Sequence, residues 1–133
     1  MIEVSKINIK DYRKLNEIGS GSFGIVYLVE NRKTNIEYAA KEDLKEDPDD
    51  SKSPLIKELK SYSKISNYAI STLIGYSPVN FEGLRKQIII TNYMRKGSLD
   101  KMINDSRHSL APPQYTSTAK YIILLGIALG MKY

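Results

Sequence analysis

The sequence predicts an α+β fold: a five-stranded antiparallel sheet with one helix against it, followed by two further helices. Three observations point there. The stretch Gly19-Ser20-Gly21-Ser22-Phe23-Gly24-Ile25-Val26 lies between segments rich in β-branched and aromatic residues, which reads as strand, glycine turn, strand. Ser53 and Pro54 offer the N-cap and first position of an amphipathic helix. The strongly apolar run 87–94 is bounded by turn residues, as expected of a central strand.

The chain has 133 residues, 41% hydrophobic and 26% charged, enough for one core and too short for two full-sized domains. With no cysteine and His108 as its one histidine, it cannot build a disulfide framework, a thiolate metal site or a histidine cluster, and it suits a reducing, cytoplasmic compartment. The net charge of +5 comes from the second half, where eight cations face three carboxylates, against twelve of each before residue 67. Those cations are scattered without interleaved aromatics, so a solvated surface is expected and not a nucleic-acid interface. The first ten residues hold no signal-like apolar run. Residues 121–131 are the most apolar segment but fall short of the roughly 20 a membrane span needs, so they read as a buried helix.

In chain order, residues 12–18 form a strand into the glycine turn and residues 24–30 the strand out of it. Turn residues 31–35 lead to a third strand over 36–42, completing a meander. The acidic run 42–50, with Glu42, Asp43, Glu46, Asp47, Asp49 and Asp50 around Pro48, reads as a solvated loop. The helix over 55–66 places Leu55, Glu58, Leu59, Tyr62 and Ile65 on one arc and Lys57, Lys60 and Lys64 opposite. A carboxylate on that apolar arc calls for a cationic partner from another element, unless Glu58 reaches water at its edge. Strands over 70–76 and 87–94 follow. Ser98 then caps a two-turn helix from Leu99, and Thr116 or Ser117 caps a last helix running towards Tyr133.

Glycines spaced as Gly19, Gly21 and Gly24 let backbone N–H groups approach phosphate oxygens closely. The spacing fits two designs. A dinucleotide fold needs a helix opening at the third glycine, whereas a strand follows here, which excludes it even though Glu42 and Asp43 lie at the distance of its acidic residue.

In this arrangement Gly19-x-Gly21-x-Phe23-Gly24-x-Val26 resembles the glycine-rich loop of eukaryotic protein kinases, and Tyr38-Ala39-Ala40-Lys41 resembles their Val-Ala-Ile-Lys strand. Glu58 stands where the αC glutamate of those kinases is expected. Asn92-Tyr93-Met94-Arg95-Lys96-Gly97-Ser98-Leu99 resembles the hinge of tyrosine kinases and tyrosine-kinase-like kinases. Gly126-Ile127-Ala128-x-Gly130-Met131-x-Tyr133 resembles the end of the αE helix. The resemblance runs from Tyr12 to Tyr133 and is strongest to the tyrosine-kinase-like serine/threonine group.

It implies an N-terminal extension (1–11), a kinase N-lobe (12–94), and a hinge with an incomplete start of the C-lobe (95–133). ATP would be the ligand, with Mg2+ carried only through the nucleotide and no protein-held metal. Gly19, Ser20, Gly21, Ser22, Phe23 and Gly24 would cover the phosphates, and Lys41 would contact the α- and β-phosphates while pairing with Glu58. Ile18, Val26 and Ala39 would cover the adenine, the backbone at Asn92 and Met94 would meet its edge, and Thr91 would stand at the entrance to the pocket behind it. Ala39 and Lys41 alternate onto one strand face, which agrees with these roles, whereas a lone lysine would otherwise snorkel at the surface.

Tyr38 and Ala40 replace the usual aliphatic pair, and Asn92 an acidic residue. The 133 residues contain no His-Arg-Asp catalytic loop and no Asp-Phe-Gly, so the expectation is a truncated kinase domain that binds ATP weakly and is inactive alone. Such kinases phosphorylate protein serine or threonine, less often tyrosine. The alternative is a non-catalytic kinase-like module docking on another kinase or protein partner, with no membrane role.

Overall fold

The computed structural model describes residues 4–22, 24–46, 54–62, 64, 69–110 and 112–132. Expectations placed on Phe23, Ser53, Ile65, Tyr133 and the stretch 47–50 lie outside the described residues. Two compact units divide the chain, residues 1–93 and 94–133.

In the first unit, strands β1 (Tyr12–Gly21) and β2 (Gly24–Asn31) pair antiparallel from Tyr12↔Asn31 to Gly21↔Gly24. β1 reaches three residues past its expected end because Gly19, Ser20 and Gly21 stay in the ladder opposite Val26, Ile25 and Gly24. Register shifts at Leu15 and Ile18 bend it. The turn into β3 (Glu37–Glu42) is closed by the Asn31 Oδ1, which accepts from the N–H groups of Lys33 at 2.9 Å and Thr34 at 3.2 Å. Helix α1 (Pro54–Tyr62), strand β4 (Leu73–Ser77) and strand β5 (Ile88–Asn92) follow, and the five strands lie in the order β1-β2-β3-β5-β4, antiparallel throughout.

β4 starts later than the expected residue 70 because an asparagine side chain holds the chain just before it. The Asn92 Oδ1 accepts from the Ser71 hydroxyl at 2.9 Å and the Thr72 N–H at 2.6 Å.

Alternation along β5 sorts the core into two layers. Ile88 and Ile90 pack with Ile9, Tyr12, Val29 and Ala40 on one face of the sheet, and Ile89 packs with Leu55 and Leu59 of α1 on the other. Burying each such aliphatic side chain contributes about 1.5–3 kcal/mol, and Ile56 of α1 packs against the same cluster as its two leucines. The segment before β1 is built into this unit. Ile9, in a single 3₁₀ turn (Ile9–Asp11) capped by Asn8, lies in the core, and Lys6 forms a parallel bridge with Tyr76.

The start of the acidic run departs from its expected exposure. Glu42 and Asp43 are buried, because Glu42 closes β3 opposite Ile88 and the Asp43 N–H donates to the Gln87 carbonyl at 3.0 Å, prolonging the ladder by one step. The Glu42 Oε1 accepts from the Asn80 Nδ2 at 2.9 Å, while its Oε2 has no partner among the described residues.

The second unit holds α2 (Leu99–Arg107), whose Lys101 N–H donates to the capping Ser98 Oγ at 3.3 Å, and α3 (Ser117–Met131), whose Ala119 N–H donates to the capping Thr116 Oγ1 at 3.2 Å. The expectation of a buried last helix is overturned, since none of the described residues of α3 is buried and Tyr121 is 74% exposed. Apolar side chains surround this helix instead of forming one stripe, and covering all of them takes neighbours on every side. Among the described residues no helix is long and apolar enough to cross a membrane.

Candidate functional site

Strand register assembles the candidate residues of the first unit. Lys41 lies between Val26 on β2 and Ile89 on β5, and Ala39 lies between Leu28 and Thr91, so Val26, Ala39, Lys41 and Thr91 share the sheet face on which α1 packs. The pairing Gly19↔Val26 brings the first glycine to the same rows.

Helix α1 places its residues as a 3.6-residue period dictates. Leu55 and Leu59 are buried, Glu58 and Tyr62 are half-buried beside them, and Lys57 and Lys60 are exposed. Glu58 thereby meets Lys41. The Lys41 Nζ donates to the Glu58 Oε2 at 2.6 Å, with 29% and 35% of the two side chains exposed. At that exposure the pair is worth about 0–1 kcal/mol of stability, so its consequence is orientation: the ammonium is held over the sheet face instead of snorkelling to solvent. Burial, with the Glu58 carboxylate adding to it, pushes the Tyr62 phenol up, which keeps it neutral next to the pair.

The three glycines differ. A Cβ on Gly24, at φ 143°, would stand 2.4 Å from the Glu42 carbonyl oxygen, so β2 passes β3 there at a distance only glycine allows. A Cβ on Gly21 would meet nothing within 4 Å, and one on Gly19 would only touch the Val26 Cβ at 4.0 Å. Nothing described in the chain itself forbids a side chain at these two positions, and the open hairpin end has room for a group of atoms outside it. Ile18 and Ser20 are exposed on β1, with Ser22 exposed beyond its end.

Among the residues expected to meet an adenine edge, Asn92 ends β5 and its N–H donates to the Thr72 carbonyl at 3.1 Å. Met94 belongs to the second unit, where its carbonyl accepts from the Gly97 N–H at 3.1 Å. The sequence marks Asn92 for its backbone and as a replacement for an acid, and gives no role to its side chain, which accepts from Ser71 and Thr72. The signal was present in that an asparagine at a strand end can replace backbone partners.

Among the described residues no group of three or more acidic or histidine side chains converges as a metal site would require. The arrangement offers one oriented cation, a hairpin end open to close approach, and a face bearing Val26 and Ala39 suited to a flat ring. Those are the needs of a polyphosphate attached to an aromatic base.

A family model described as protein kinase domain matches residues 12–133. No curated protein matches the chain significantly.

Proposed function

The chain belongs to the protein kinase domain family, and from that premise we propose that its first unit is the half of an ATP site that grips the phosphates and covers one face of the adenine. The observation that carries this is the 2.6 Å Lys41–Glu58 pair, standing on the same sheet face as Val26, Ala39 and Thr91. Lys41 would neutralise charge on the α- and β-phosphates, with Glu58 preventing the ammonium from swinging away. Gly19 and Gly21 would admit the phosphates against backbone N–H groups, with Ser20, Ser22, Phe23 and Gly24 completing the loop. Ile18, Val26 and Ala39 would cover the ring, Thr91 would bound the space behind it, and the backbone at Asn92 would read its edge.

The chemistry served is transfer of the γ-phosphoryl group of ATP to a protein hydroxyl; the hinge sequence supports a serine/threonine kinase of the tyrosine-kinase-like group, and the cysteine-free composition suits a reducing, cytoplasmic setting. Mg2+ would arrive on the nucleotide. Orienting the acceptor hydroxyl and holding that metal require groups these 133 residues do not supply, so binding without rapid turnover is the proposed activity of the chain alone. One observation favours a second reading, a module that docks on another kinase or protein: α3 exposes Ile122, Leu125 and Leu129.

A thermal-shift titration with Mg-ATP separates the two. A ligand at about five times its Kd stabilises by about 1 kcal/mol, which raises the midpoint by a few degrees in a domain of this size. The parent protein is expected to show that shift and Lys41→Ala to lose it. No shift in the parent would refute the nucleotide reading.

A further inference from the structure

We propose that residues 4–9 form a strap that sets the position of α1 and, through it, the Lys41–Glu58 pair. As regulation of a nucleotide site this rests on the reading above; as mechanics it stands on packing alone.

Helix α1 spans nine residues, too few to persist without tertiary support. Among the described residues that support is small. Leu55 and Leu59 are buried against Ile89, with Leu73, Tyr76 and Val4 closing the cluster around them. All but Val4 belong to the helix or the sheet; Val4 comes from the segment ahead of β1.

That segment runs along the outer edge of β4, the last strand of the sheet. The Ile7 N–H donates to the Tyr76 carbonyl at 2.9 Å and the Tyr76 N–H donates to the Ser5 carbonyl at 3.1 Å, one parallel bridge centred on Lys6. Beyond the bridge, Ile7 and Ile9 join the core on the opposite face of the sheet from Val4. The strap therefore wraps an edge strand, with one apolar contact on the helix side and two on the far side.

Gly75 makes the seat. A Cβ there would stand 2.5 Å from the Ile7 Cγ2 and 2.6 Å from the Ser5 carbonyl oxygen, so only a glycine lets the strap lie flush on β4. Two backbone hydrogen bonds and three aliphatic side chains make a weak clasp, of the kind that opens locally while the rest of a domain stays folded. Seated, it walls the cluster under α1 and fixes Glu58 towards Lys41. Released, it strips a wall from that cluster and leaves the β4 edge unpaired. Val4 and Gly75 are thus positioning residues for the ion pair, though neither touches it.

Hydrogen exchange on the full chain, comparing the parent with Gly75→Ala and Val4→Ser, tests the strap. Gly75→Ala displaces the segment from β4, and Val4→Ser leaves its bonds to Tyr76 in place while removing the contact with the helix cluster. In both, the amides of residues 58–62 are expected to exchange at least about tenfold faster while β1, β2 and β3 keep parental rates, with Val4→Ile behaving as the parent. Affinity for Mg-ATP should fall in parallel. Unchanged exchange in α1, or an increase spread equally over β1–β3, overturns the proposal, the second outcome marking the segment as general stabilisation. Should Gly75→Ala not fold, Val4→Ser decides alone. A parent that fails to bind Mg-ATP refutes the nucleotide reading, and the exchange rates still judge the strap.

Discussion

At Gly24 the backbone has no alternative, whereas at Gly21 it has room. Gly24 adopts φ 143° and would drive a Cβ against the Glu42 carbonyl oxygen; a Cβ on Gly21 reaches no neighbour within 4 Å. Gly24→Ala is therefore expected to destabilise the protein by about 2–3 kcal/mol, and Gly21→Ala to change stability by less than about 0.5 kcal/mol, as denaturant titration would read. Both should weaken Mg-ATP binding, the first through a deformed hairpin and the second by obstructing the phosphates. Spacing in the sequence showed three equivalent glycines. Only the approach of β2 to β3, a contact between residues 18 positions apart, distinguishes one that folds the hairpin from two that leave it open. Glu42 departs from its expected exposure for a similar reason, because it opens an acidic run in the sequence while its neighbours in space are Ile88 and Asn80.

Among the elements, β1 and the loop between β4 and β5 are joined by a charge contact whose pH behaviour follows from its geometry. The Lys14 Nζ donates to the Glu82 Oε1 at 2.9 Å and stands over the rings of Tyr27 and Phe81, with centroids at 4.4 Å and 5.3 Å. The hydrogen bond to Glu82 raises the Lys14 ammonium above its ordinary value against the opposing effect of burial, and the same bond lowers the Glu82 carboxyl. Glu82 therefore contributes stability that is present above the ordinary carboxylate range and lost as pH falls through its lowered value. Lys14 contributes stability present below the ordinary ammonium range and lost as pH rises through its raised value. Both side chains are partly exposed, so the coupling is expected to be within about 1 kcal/mol, and a double-mutant cycle with Lys14→Met and Glu82→Gln should find it at pH 7 and see it shrink as pH falls below the ordinary carboxylate range. The strands were legible from β-branched runs, and α1 from Pro54 at its first position and the arc of Leu55, Glu58 and Leu59. Their limits were less so: β4 begins where the Asn92 side chain lets go, and β1 continues because glycines can stay in a ladder.

For the molecule as a whole, the two units differ in how much of their apolar surface they enclose. The first buries Val29, Ala40, Leu55, Ile88 and Ile90 almost completely, whereas no described residue of α2 or α3 is buried. The sequence located α3 by its hydropathy, but a helix apolar on every side carries no mark of what is to cover it. The candidate site was more legible than its surroundings, since alternation puts Ala39 and Lys41 on one face and the helical period turns Glu58 towards it. What the sequence could not supply was the strap, because nothing local in Val4 or Ile7 shows that they meet opposite faces of a strand some 70 residues away.

The central claim, that the hairpin and the Lys41–Glu58 pair form the phosphate-gripping half of an ATP site, is tested most directly by backbone amide NMR during titration with Mg-ATP. Saturable shifts at Gly19, Ser20, Gly21, Val26, Ala39 and Lys41, complete by about 10 mM nucleotide and abolished in Lys41→Ala, are the expected result. Shifts that do not saturate, that survive Lys41→Ala unchanged, or that fall away from these residues would contradict it.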